Sequence, residues 1–165
     1  MKLETLNDLY LAELKDLYSA EDQILSALPK IIEKVQSPGL RQALENHLEE
    51  TKGHVARLEQ VFEMSGQPAK KQKCKGMSGL LDEGDELIGT DAKPAVRDAA
   101  IIAACQRVEH YEIAAYGTVR TYADQLGLER ASTMLQETLD EEAAADEKLT
   151  SLASQGINQQ ATLTA

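Results

Sequence analysis

Val108-Glu109-His110-Tyr111-Glu112-Ile113-Ala114-Ala115-Tyr116 decides how the chain reads. Val108, Ile113 and Tyr116 belong to an apolar stripe that also holds Ile101, Ile102, Cys105, Val119 and Ala123, spaced by threes and fours as on one face of a helix. Glu109 and Glu112 interrupt that stripe, whereas an amphipathic helix ordinarily keeps its acids on the wet face.

The same intrusion recurs on three other helical patterns. Upstream, Leu6, Leu9, Leu14, Leu17, Ile24, Leu25 and Leu28 form a stripe, with Glu21 inside it. Pro29 should kink or break this helix, leaving a short extension over residues 30 to 36. Ser37-Pro38-Gly39 is a helix start, Ser as N-cap and Pro in the first position, and Gly66 can cap the far end. Between them run Leu40, Leu44, Leu48, Val55, Leu58, Val61 and Phe62, with Glu50 and His54 on the row His47–Glu50–His54–Leu58–Val61. Downstream, Ala131, Leu135, Leu139, Leu149 and Leu152 form a stripe ending near Gly156, and Glu142 and Asp146 fall within it.

Residues 66 to 76 read as a basic loop holding Lys70, Lys71, Lys73 and Lys75, and residues 77 to 89 as a short connecting helix. Thr90 or Asp91 can cap the third long helix, with Pro94 in its first turn, and Leu126-Gly127-Leu128 ends it. Residues 1–157 therefore form one domain, and 158–165 a polar, frayed tail. Two helical hairpins with short turns, joined by a long crossover carrying a short helix, make an all-α four-helix bundle of ferritin-like connectivity.

Height along the bundle can be checked by counting. Glu21 lies 16 residues before the turn at 37 and Glu50 lies 13 after it; Glu112 lies 15 before the turn at 127 and Glu142 15 after it. At about 1.5 Å per residue each pair is level to within about 5 Å, which predicts a ring of acids at mid-bundle. Buried carboxylates lose hydration and repel one another, and no Lys or Arg lies on these rows beside them, so bound cations are the remaining solution. Oxygen-rich ligands with one or two imidazoles suit iron or manganese, and zinc could also bind.

Composition agrees. The 165 residues are rich in helix formers, only 4% are aromatic, and the net charge of −11 repels nucleic acid and anionic lipid. No apolar run reaches a membrane span and no signal-peptide pattern opens the chain, so a cytoplasmic protein is expected. Cys105 reads as core filler. Cys74, between Lys73 and Lys75, reads either as an activated thiol or as an incidental surface one. His47 and His110 carry no assigned role, and Tyr116, four after Glu112, could donate to a carboxylate.

Four segments together resemble the YciE/YciF family, a branch of the ferritin-like superfamily: Ser19-Ala20-Glu21-Asp22-Gln23, Glu49-Glu50-Thr51-Lys52-Gly53-His54-Val55, 108–114, and the run from Asp140 to Leu149. The resemblance spans roughly residues 3 to 157. It implies a homodimer and a bacterial stress setting, and similarity to rubrerythrin-type sites would account for two Glu on the third helix. Two departures stand out. The second helix has Glu50-x-x-x-His54 where Glu-x-x-His is usual, and the fourth has Glu142 and Asp146 with no His. On this reading two metal ions, iron in first place, are bridged by Glu50 and Glu142. Glu21 and His54 serve one, and Glu109, Glu112 and Asp146 the other. Oxygen or peroxide is the small-molecule substrate expected of such a centre; a non-enzymatic metal-binding or stress-protection protein is the alternative.

Overall fold

Thr5 opens the first helix with a reciprocal cap: its hydroxyl accepts from the Asp8 N–H at 3.1 Å, and the Asp8 carboxylate accepts from the Thr5 N–H at 2.9 Å. In the computed structural model, which describes residues 2–163, helix α1 runs from there over Leu6–Lys34. It continues through Pro29, so the helix does not break there. Ile24 and Leu28 on one side of the proline and Ile32 on the other enter the same apolar cluster, so packing holds the helix together across it. Pro29 itself is exposed, on the side where a carbonyl that loses its donor can be hydrated.

Helix α2, Pro38–Met64, starts as expected, with the Ser37 side chain accepting from the Leu40 N–H. The turn before it is tied down from a distance. Buried Asp98 accepts from the Gln36 and Ser37 N–H groups at 2.9 and 2.7 Å, and Arg41 donates to the carbonyls of Ile32 and Val35. Gly66, just beyond α2, takes the left-handed φ of 65° that a glycine stop requires.

The crossover helix α3 spans Lys75–Gly89, with Cys74 as its N-cap. Helix α4, Pro94–Gln125, begins at its proline, and Lys93 rather than Thr90 or Asp91 precedes it. Thr90 instead ends α3, its hydroxyl donating to the Glu86 carbonyl at 3.0 Å. Helix α5, Glu129–Leu152, passes through a widened turn at Ala153–Ile157 into α6, Asn158–Leu163. The frayed tail expected over 158–165 is thus helical as far as 163. Ile157 is buried in the core and anchors it, and α6 packs on α4; the last two positions of the expected tail lie outside the described residues.

The four long helices α1, α2, α5 and α4 form a closed ring of neighbours, and α3 lies against α1 and α4. Two apolar clusters fill the interior. One joins the C-terminal half of α1, the N-terminal halves of α2 and α4, α3 and the end of α5. The other joins the opposite halves, with Tyr10, Phe62, Tyr116 and Leu135 among its members. Every neighbouring pair in the ring is therefore antiparallel, the two-hairpin, long-crossover arrangement read from the sequence. No helix among the described residues is long and apolar enough to cross a membrane.

Candidate metal centre

Between the two apolar clusters lies a layer of buried polar side chains: Glu21 from α1, His47, Thr51 and His54 from α2, Glu109 and Glu112 from α4, and Glu142 from α5. Each of these four carboxylates is at most 2% exposed. Ligand atoms of His47, Glu109, Glu112 and Glu142 all lie within 4.8 Å of one another, and so do those of Glu21, His54 and Glu142. Glu142 belongs to both groups, so these residues could hold metal ions on either side of it.

Glu50 and Asp146 stand outside both groups. The expected bridging position of Glu50 is not where the structure puts it: its side chain is 47% exposed, with Oε2 3.6 Å from Nδ1 of His47. Asp146 accepts from Gln106 Nε2 at 3.0 Å and lies 3.4 Å from His110 on the flank of α4. The reason is angular. Seven residues make nearly two full turns, so the inner row of α2 is His47–Thr51–His54–Leu58, all buried, and Glu50 lies about 60° off it. Asp146 is a different case: by spacing it falls on the α5 row of Glu142 and Leu149, but its half-buried side chain is turned to Gln106 and His110 on α4. His47, unassigned in the sequence reading, sits on the inner row; its spacing of seven from His54 was the signal.

The layer is electrostatically costly. Burial first, then the neighbouring carboxylates, push Glu109 and Glu112 well above the usual range. Glu21 is raised chiefly by burial. Glu142 goes the other way: against burial, His54 and His47 hold it below the usual value. His54, which burial alone would lower, is pushed up to about 10 by Glu142 and Glu21. Its Nδ1 lies 2.9 Å from Glu142 and 3.5 Å from Glu21. Tyr116 donates its hydroxyl to Oε1 of Glu21.

Much of this polar capacity goes unmet. Both oxygens of Glu112, Oε2 of Glu142, of Glu21 and of Glu109, and Nδ1 of His47 are buried without a hydrogen-bond partner. Orphaned acceptors cost stability unless something satisfies them. Here they converge on one layer, and the charge of four carboxylates is what two divalent cations would cancel.

A supporting shell escaped the sequence reading. Nε2 of His54 lies 2.9 Å from Glu141, whose carboxylate accepts from both terminal nitrogens of Arg57 at 2.5 and 2.7 Å. Arg57 also donates to the Thr138 hydroxyl at 3.0 Å. A carboxylate can only accept, so Nε2 is protonated and Nδ1 faces the centre.

Cys74 departs from both sequence readings: it is wholly buried, and burial raises its thiol. Its sulfur caps α3, accepting from the Met77 N–H, and lies 3.0 Å from the Tyr111 hydroxyl, which donates to Asp16 at 2.8 Å.

Comparison with known proteins agrees with this architecture. Residues 5–162 match a family described as a domain of unknown function, DUF892. Protein YciF of Escherichia coli strain K12 is 48% identical over 162 residues, covering 98% of each chain. The crystal structure of the E. coli stress protein YciF superposes with a TM-score of 0.90, covering 94% of this chain and 98% of that one. YcfI from Rhodopseudomonas palustris is 46% identical with a TM-score of 0.89, over 90% and 95% of the two chains. A Xanthomonas campestris protein, XCC3681, shares the fold at 18% identity and a TM-score of 0.71, over 94% and 99%.

Proposed function

The chain belongs to the DUF892 family, to which YciF is akin, and from that premise we propose that it is a ferritin-like stress protein built around a dinuclear metal centre, with iron as the metal. The observation that carries this reading is Glu142, whose carboxylate is common to two ligand groups. His54 and Glu21 would hold one ion and His47, Glu109 and Glu112 the other. When bound, a pair of iron ions supplies redox chemistry toward oxygen or peroxide.

The chain's own contribution is to orient and to exclude water. Glu141 fixes the His54 ring, Tyr116 holds one oxygen of Glu21 and leaves the other free, and the apolar clusters above and below keep bulk water out. Elemental analysis of the purified protein and of Glu142→Ala tests the reading. About two iron or manganese ions per chain, lost in the variant, support it. No metal after anaerobic loading with Fe(II) would sink it.

The relative's description as a stress protein favours a second reading, in which the same centre binds metal protectively without turnover. Loss of oxygen or peroxide in the presence of the loaded protein separates the two. Homodimerisation belongs to the proposal through family resemblance, and sedimentation tests it.

A further inference from the structure

Among the described residues, cavities reach the buried layer from two flanks. One, of about 30 Å³, runs between α1, α3 and α4 and is lined almost wholly by apolar side chains such as Ile31, Leu80, Leu81 and Val108 before it meets His47 and Glu109. An ion would have to shed its water there with nothing to replace it. The other, of about 260 Å³, opens between α2 and α5 and meets the same two residues from the opposite flank.

We propose that the α2–α5 cleft is the entry route for divalent cations, and that Glu50 is the carboxylate that receives the ion at its mouth and passes it to His47. This rests on the dinuclear reading above. His47 is 5% exposed, its Nδ1 has no hydrogen-bond partner, and that atom lies 3.6 Å from Oε2 of Glu50. Across the ring, Nε2 lies 3.4 Å from Glu109 and 3.9 Å from Glu142. The imidazole thus stands between the cleft and the centre, with one nitrogen toward each. Glu109, at 2% exposure and with its own orphaned Oε2, forms the floor beside it. On α5 the wall is Ala144 and Ala145, small enough to leave the cleft open.

At the mouth the charges of Glu50 and Lys148 oppose each other. Glu141 also lines the cleft, but Arg57 neutralises it, so Glu50 is the acid left to attract a cation. Lys148 lines the same opening and opposes entry. Glu50 is therefore a transit residue rather than a member of the centre, and its removal affects rate and not capacity.

The test is the rate and end point of Co(II) binding to the metal-stripped full-length protein. Stopped flow follows the visible bands of the ion, and elemental analysis gives the final content. Glu50→Gln should slow loading roughly tenfold at low ionic strength, Lys148→Gln should speed it, and both should reach the wild-type content. Ala145→Phe, which fills the cleft, should slow loading, while Leu81→Phe in the apolar cavity should not. Circular dichroism verifies that each variant is folded. An unchanged rate in Glu50→Gln, or a slowed one in Leu81→Phe alone, overturns the route. A reduced final content in Glu50→Gln overturns the transit role by making Glu50 a ligand. If the wild type takes up no Co(II), the dinuclear reading itself fails and the route fails with it.

Discussion

Nε2 of His54 and the carboxylate of Glu141 lie 2.9 Å apart, and Arg57 grips that carboxylate from its far side with two nitrogens. The relationship fixes the ring angle of His54 and keeps Nε2 protonated, presenting Nδ1 to Glu21 and Glu142. Glu141→Gln should therefore weaken metal binding about 10- to 100-fold without changing the number of ions at saturation. Competition against a chelator of known affinity measures this. Unchanged affinity would show that the ring needs no orientation from Glu141.

The fold was open to reading because its signals are local: stripes with a period near 3.6, Ser37-Pro38 at a helix start, and short turns at 35–37 and 126–128. The mid-bundle acids were equally visible, since Glu21, Glu109, Glu112 and Glu142 each break an apolar row. What local spacing could not settle is which of two residues 60° apart points inward. Glu50 and His47 compete for that position on α2, and the outcome depends on how α2 is rotated against α1 and α5. Asp98, Glu141 and Cys74 are more distant still, because each acts through a partner dozens of residues away. Their roles exist only once the helices are packed.

Gly76 sits where a side chain cannot. A Cβ there would lie 2.7 Å from Cε2 of Tyr111. The ring is not free to retreat, because its hydroxyl donates to Asp16 and also meets Cys74. Gly76→Ala should destabilise the protein by about 1–3 kcal/mol through this overpacking, even though alanine favours helix. The same variant should expose the Cys74 thiol to a disulfide reagent that leaves the native protein unmodified. Wild-type stability in the alanine variant would mean that the ring moves without cost.

The metal-stripped protein should have an inverted pH dependence. Burial raises Glu109, Glu112 and Glu21 in the folded state, so the unfolded chain releases these protons first as pH rises. Their contribution is full below the ordinary carboxylate range and is lost as pH climbs through the raised values. Glu142, held low by His54 and His47, loses its contribution only as pH falls below the ordinary carboxylate range, and His54, raised from 6.5 to about 10, adds to the fall at the upper end. Denaturant titrations should give a free energy of unfolding that falls from about pH 5 to about pH 8. Adding a divalent cation should reverse that slope, because metal binding requires the deprotonated ligands. A stripped protein whose stability rises over the same interval would contradict the burial argument.

The sharpest conflict between stability and function falls on Glu112. Both its oxygens are buried without a partner, and its surroundings disfavour the charged form more than in any ordinary carboxylate. Without metal, nothing in its surroundings repays the desolvation. Replacing such a group with an apolar side chain of similar size removes the penalty and adds burial, as with other buried charges. Glu112→Leu should therefore raise the midpoint of thermal unfolding of the stripped protein, by about 2–4 °C for each kcal/mol gained in a chain of this length. The same substitution should lower the bound metal, since it deletes a ligand from the group with His47, Glu109 and Glu142. Calorimetry of the stripped form and elemental analysis of the loaded form read the two effects separately. A more stable protein with less metal would identify the acid as a residue kept for the centre at the expense of the fold. A less stable one would show that Glu112 serves the packing itself, and an unchanged metal content would remove it from the ligand group.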